Sequence, residues 1–117
     1  MKFETIYIAP LGVEIEFKVG QDAVDNDDVI KTANGTDIWF HINGNSSPHV
    51  VASIPNDILF GKKQLMYIVK QGAILCKHHS RYKSQQKVSI IYTTIQNVTL
   101  TNIPGTVEIK NKKEIII

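Results

Sequence analysis

Asp37-Ile38-Trp39-Phe40-His41-Ile42 is the stretch on which the fold turns. Side chains alternate along a strand, so Ile38, Phe40 and Ile42 share one face and Asp37, Trp39 and His41 the other. The apolar face needs a cover, and the chain supplies one downstream. Leu59, Leu65, Met66, Val69, Ala73 and Cys76 recur at helical spacing. With Pro55-Asn56-Asp57 as a start signal, they predict a helix from about Asn56 to Cys76. Gly61 and Gly72 oppose it, each costing about 1 kcal/mol relative to alanine inside a helix. Ile38, Phe40, Ile42, Leu59, Met66, Val69, Val88 and Ile90 are the expected core.

Upstream, Val13, Ile15, Phe17 and Val19 alternate with Glu14, Glu16 and Lys18, a strand with one dry and one wet face. Ala9-Pro10-Leu11-Gly12 turns it back on the strand before it, giving an N-terminal hairpin over residues 1–19. Asp22 to Ala33 predicts a short acidic helical segment starting near Asp25 or Asn26. His49 to Ile54 and Val88 to Thr94 read as strands, with shorter ones near 97–100, 106–110 and 114–117. The expectation is a single α+β domain over 1–117. Its largely antiparallel sheet is packed by one long helix and the short acidic helical segment.

At 117 residues and 13.1 kDa there is room for one domain, and 43% hydrophobic residues exclude disorder of the whole. No apolar run approaches the roughly 18–20 residues of a membrane helix, so no membrane insertion is expected. Cys76 is the single cysteine, which excludes an internal disulfide and points to a reducing, cytoplasmic setting. The net charge of +2 conceals a division. Residues 1–60 carry three lysines against nine acids, and residues 61–117 ten cations against two acids. Such asymmetry is the footprint of a protein that meets a polyanion.

Three constellations carry chemistry. Asp37, His41 and His49, with Ser46 or Ser47 beside them, are the most enzyme-like, since a carboxylate can orient an imidazole that moves protons near neutral pH. Their structural alternative is to hold the Gly44–Pro48 loop and shape a pocket with Trp39 as its wall. Trp39 either stacks a base or closes a second small core. His78-His79 and the isolated Cys76 make no zinc set, so neither metal nor cofactor is expected. The third is Lys77-His78-His79-Ser80-Arg81-Tyr82-Lys83-Ser84-Gln85-Gln86-Lys87, a basic run without an acid. Lysine and arginine neutralise phosphates, serine donates to phosphate oxygens, and Tyr82 offers a stacking ring. Lys63, Lys70 and Lys77 repeat every seven residues and extend the run along one helix face.

At these residues the chain resembles the NFACT RNA-binding (NFACT-R) domain. The matching stretches are Val19-Gly20, Asn26-Asp27-Asp28, Asp37-Ile38-Trp39-Phe40-His41 and Ser46-Ser47-Pro48-His49-Val50. They continue with Ser80, Lys83-Ser84, Lys87-Val88, Tyr92-Thr93 and Pro104-Gly105. They span residues 20–117 in the family's order, after the hairpin. Gln21 and Asp22 stand where many members carry a basic residue and asparagine, and Pro48 replaces a small residue. The resemblance implies a non-catalytic RNA-binding module associated with tRNA or the ribosome, of the kind found in ribosome quality-control factors. Under that reading Ser80, Lys83, Ser84 and Lys87 belong to the phosphate-binding surface with Lys63, Lys70, Lys77, Arg81 and Tyr82.

Three functions therefore compete: an RNA-binding module, with RNA before DNA as partner; a small hydrolase or nucleic-acid-processing enzyme built on Asp37, His41 and His49; and a protein-interaction module on a ribosomal partner. Ile115-Ile116-Ile117 further suggests an edge strand open to self-association.

Overall fold

Pro10 sets the tight turn after β1 (Lys2–Ile8), and Gly12, at φ 66°, returns the chain into β2 (Val13–Val19). The computed structural model describes residues 1–117. Its other elements are α1 (Ala23–Lys31), β3 (Ile38–Ile42), β4 (Val50–Ala52), α2 (Lys62–His78) and β5 (Ser89–Thr94). The chain ends with β6 (Val98–Leu100), β7 (Val107–Ile109) and β8 (Lys113–Ile116).

Six strands form one antiparallel sheet in the order β1-β2-β4-β3-β5-β8, while β6 and β7 pair as a separate ribbon. The α+β architecture expected from the periodicity is the one observed. Strand alternation sorts the sheet residues into two cores. Phe17, Val19, Ile38, Phe40, Ile42, Val50 and Ile90 meet Ile68, Val69, Ala73 and Cys76 of α2. On the opposite face Trp39, Val51 and Ile91 meet Val29 and Ile30 of α1, with Ile95 and the β6–β7 ribbon alongside. Trp39 is 1% exposed, so it closes the second core and is not available to stack a base. A fully buried side chain of this kind stabilises by about 1.5–3 kcal/mol.

Two expectations about the helices change. The long helix starts at Lys62, not Asn56. Gly61 is its N-cap, and Gln64 Oε1 accepts the Gly61 N–H at 2.7 Å. Asn56 and Asp57 lie in a turn, and Leu59, 97% exposed, belongs to the irregular segment before α2. Helical spacing alone does not distinguish a residue inside the helix from one that precedes its start. Met66 is 44% exposed, and Tyr92 Oη of β5 donates to its Sδ at 3.8 Å. The acidic helix starts earlier than expected, at Ala23, because Asp22 is its N-cap and accepts from the Asp25 N–H at 2.8 Å.

β8 is an edge strand as expected, paired on one side to β5 through Ser89↔Ile116 and Tyr92↔Lys113. Lys112 and Lys113 beside its open edge oppose strand addition. No helix is long and apolar enough to cross a membrane.

Candidate nucleic-acid interface

β3 and β4 run antiparallel, with Trp39 opposite Val51. The hairpin between them brings His41 and His49 to one end of the sheet. Trp39 Nε1 donates to His49 Nδ1 at 3.1 Å, which holds the His49 ring edge-on to the indole. The His41 ring lies parallel to Trp39 at a centroid distance of 5.7 Å and edge-on to His49 at 4.8 Å. Ser47 Oγ accepts the Ile42 N–H at 3.0 Å and donates to the Pro48 carbonyl at 3.1 Å, so this serine builds the loop. Cys76 Sγ reaches the same carbonyl from α2. Burial pushes its thiol up to about 12, which makes it an inert core group.

Burial lowers the proton affinity of both histidines, and the neighbouring His41 adds to the effect on His49, whose pKa falls to about 3. Both rings are therefore neutral at pH 7. His49 is 2% exposed, and its main-chain N–H is accepted by Asn26 Oδ1 at 3.0 Å. That bond requires Gly20. A Cβ there would lie 2.9 Å from Asn26 Cα and would collide with Asn26 Oδ1.

These groups form one side of a cleft of about 890 Å³. Gly20, Gln21, Asp22 and Asn26 line a second side, His79, Ser80 and Arg81 a third, and the Pro104–Gly105 turn closes the rim. Asp27 Oδ1 fastens that turn by accepting the Gly105 N–H at 2.9 Å. Gly20, Asn26, His41, Ser46, Ser47, His49, Ser80, Pro104 and Gly105 thus converge, although they are scattered over 86 positions of sequence.

The remaining site residues are placed differently. Asp37 is buried and absent from the cleft, because its two oxygens accept the Asn34 and Ile54 N–H groups, each at 2.9 Å. It shares a strand face with His41 but does not orient that ring, so the Asp37–His41–His49 relay does not form. Ser80 Oγ donates to the Lys77 carbonyl at 2.7 Å and accepts from the Tyr82 N–H at 3.1 Å, acting as a helix-end staple. Tyr82 is half-buried against the main core. Lys77 Nζ donates to the Ile117 carbonyl at 3.2 Å. His79 faces Glu4 at 2.6 Å.

Lys83, Ser84 and Lys87 are exposed and do not line the cleft, and Lys87 adopts a left-handed φ of 55° in the turn before β5. Lys63 and Lys70 are exposed on α2, also outside it. At 1.5 Å rise per residue Lys63 stands about 21 Å from Lys77 along the axis. Arg81 is the one lysine or arginine in the cleft wall, and Asp22 is its one carboxylate. The N-cap of the acidic helix and the basic segment thus contribute opposite charges to the lining of one cleft.

The family model described as the NFACT protein RNA binding domain matches residues 15–111.

The chain belongs to the NFACT RNA-binding domain family.

Among curated relatives, the coiled-coil domain-containing protein 25 homolog of Dictyostelium discoideum is 32% identical over 106 residues, covering 82% of this chain and 47% of that protein. The coiled-coil domain-containing protein 25 of Danio rerio is 32% identical over 93 residues, covering 71% of this chain and 40% of that protein. This NFACT RNA-binding domain thus spans less than half the length of these relatives. The C-terminal part of the fibronectin/fibrinogen-binding protein of Streptococcus suis superposes with a TM-score of 0.78 at 22% identity. That comparison covers all of this chain and 45% of the other, and it establishes the shared fold. The cleft walls at Gln21–Asp22, His79 and Thr106 were missed by residue-type reasoning. The signal for Gly20, Asn26, Pro104 and Gly105 lay in the family pattern, where they otherwise resemble ordinary turn residues.

Proposed function

We propose that this NFACT RNA-binding domain binds RNA without catalysis, receiving backbone phosphates on Arg81 at the cleft and on Lys83 and Lys87 beside it. The observation that carries the reading is Arg81 on the wall of the cleft where the family's motif residues Gly20, Asn26, His41, His49, Ser80 and Gly105 converge. A guanidinium fork holds a phosphate bidentately where lysine offers a point charge. Lys63 and Lys70 extend the positive surface along α2 and serve longer RNA. Unpaired or structured regions of tRNA or ribosomal RNA are the preferred partners, and the setting is cytoplasmic and ribosome-associated. The non-enzymatic reading is supported by Asp37, whose oxygens are engaged with main-chain N–H groups away from the histidines.

Salt-titrated binding to structured RNA, single-stranded RNA and duplex DNA tests this. Arg81→Ala is expected to weaken RNA binding about 10-fold, and Lys83→Ala less. Each replacement should flatten the log–log salt slope by about one unit or slightly less, with little dependence on sequence. A charge-reversed Arg81/Lys83/Lys87 variant that folds normally and binds RNA like the parent would remove this surface as the site. Turnover of RNA that is lost on replacing His41 and His49 would instead favour the enzyme reading.

A further inference from the structure

The cleft contains an acceptor whose tautomer is set by the fold. His41 Nδ1 lies 2.6 Å from the Ile42 carbonyl oxygen. A carbonyl offers only lone pairs, so Nδ1 carries the hydrogen and donates it. In a neutral ring Nε2 is then a bare lone pair. The structure gives Nε2 no protein partner, and no fully buried side-chain nitrogen or oxygen goes without one, so Nε2 opens to the cleft.

The ring has little freedom to swing away. One face stacks on Trp39 and its edge meets His49, which Trp39 Nε1 holds in turn. A half-buried imidazole is thus held in one plane, in one tautomer, with its acceptor facing the space that Arg81 also borders. Arg81 presents only donors and suits phosphate, and Nε2 presents only an acceptor and cannot hold one. What it matches is an O–H or N–H donor. An unpaired nucleotide carries such donors on its ribose 2′-hydroxyl and on its base edge.

We infer that His41 is a specificity-determining residue: Nε2 accepts a hydrogen bond from the 2′-hydroxyl or a base N–H of the nucleotide whose phosphate rests on Arg81. The inference builds on the RNA-binding reading above but concerns a contact without charge, and this separates the two experimentally.

The test uses the full chain with short oligouridylate, oligoadenylate and oligodeoxyuridylate at several salt concentrations. His41→Phe keeps a flat ring on Trp39 but removes the acceptor. His41→Gln places an amide oxygen near the position of Nε2. His41→Phe is expected to lose about 3- to 10-fold in affinity for oligouridylate with an unchanged salt slope, and His41→Gln to recover part of the loss. If the donor is the 2′-hydroxyl, the parent prefers oligouridylate to oligodeoxyuridylate and His41→Phe erases the preference. If it is a base N–H, His41→Phe weakens both alike, and the loss differs between oligouridylate and oligoadenylate.

A folded His41→Phe that binds all three like the parent overturns the inference. So does a folded His41→Gln no better than His41→Phe. An Arg81→Ala variant with an unaltered salt slope, alongside an intact His41 effect, would remove Arg81 as the phosphate seat of that nucleotide and leave only the His41 acceptor contact standing.

Discussion

Gly72→Ala is expected to destabilise the protein by about 2 kcal/mol, although the same change in an exposed helix would stabilise it by roughly 1 kcal/mol. Gly72 lies mid-way along α2 and is buried against the ring of Phe40. A Cβ there would collide with Cζ and Cε1 and lie 2.8 Å from Cε2. Phe40 is itself fully buried within the main core and has no empty space to rotate into. Overpacking therefore outweighs the gain in helix propensity. Urea denaturation of Gly72→Ala, Phe40→Leu and the double variant measures the coupling. The double variant should be more stable than the sum of the single losses predicts, by about 1 kcal/mol. Gly72→Ala as stable as the parent, or more so, would show that the ring and the helix do not press on each other.

Acid is expected to weaken the fold before carboxylates titrate. His49 releases its proton near pH 3 in the folded protein, against an ordinary value of 6.5. Between those limits the unfolded chain holds more protons than the folded one, so stability rises with pH and falls on acidification. The contribution is fully present above 6.5 and is lost by up to about 1.4 kcal/mol for each pH unit below it. From pH 7 to pH 5 this amounts to about 2 kcal/mol, and the lowered His41 acts in the same direction. His49→Asn retains an acceptor on the side facing Trp39 but cannot titrate. Its urea midpoint should start lower, through lost packing, yet change less between pH 7 and pH 5. An equal pH dependence in parent and variant would assign the acid sensitivity elsewhere.

Much of the architecture was legible because it follows from periodicity. The alternation in Val13–Val19 and Ile38–Ile42 identifies strands and their α2-facing sides, and Ile15, Phe17, Phe40 and Ile42 are buried as the pattern requires. The helix start was less legible. Leu59 falls at helical spacing but lies exposed in the segment before α2, and spacing carries no information about where a helix begins. Arg81 and Lys83 look equivalent in a basic run, yet only Arg81 lines the cleft. The two are separated by the turn after α2 that the Ser80 hydroxyl staples.

By itself, the sequence determined the α+β class, the antiparallel hairpin at the N-terminus, the core-facing side of the sheet, the division of charge and the family resemblance. All of these depend on residue type and short-range spacing. The tertiary structure alone decided which groups meet. It turned Asp37 onto the Asn34 and Ile54 amides, drew Asp22 to the cleft beside Arg81, and left Lys63 and Lys70 on α2 away from it. It also placed the His41 acceptor against open space by stacking the ring on Trp39. Hydrogen bonds and packing reach only a few ångströms, so contacts between residues far apart in the chain are set by how the layers dock.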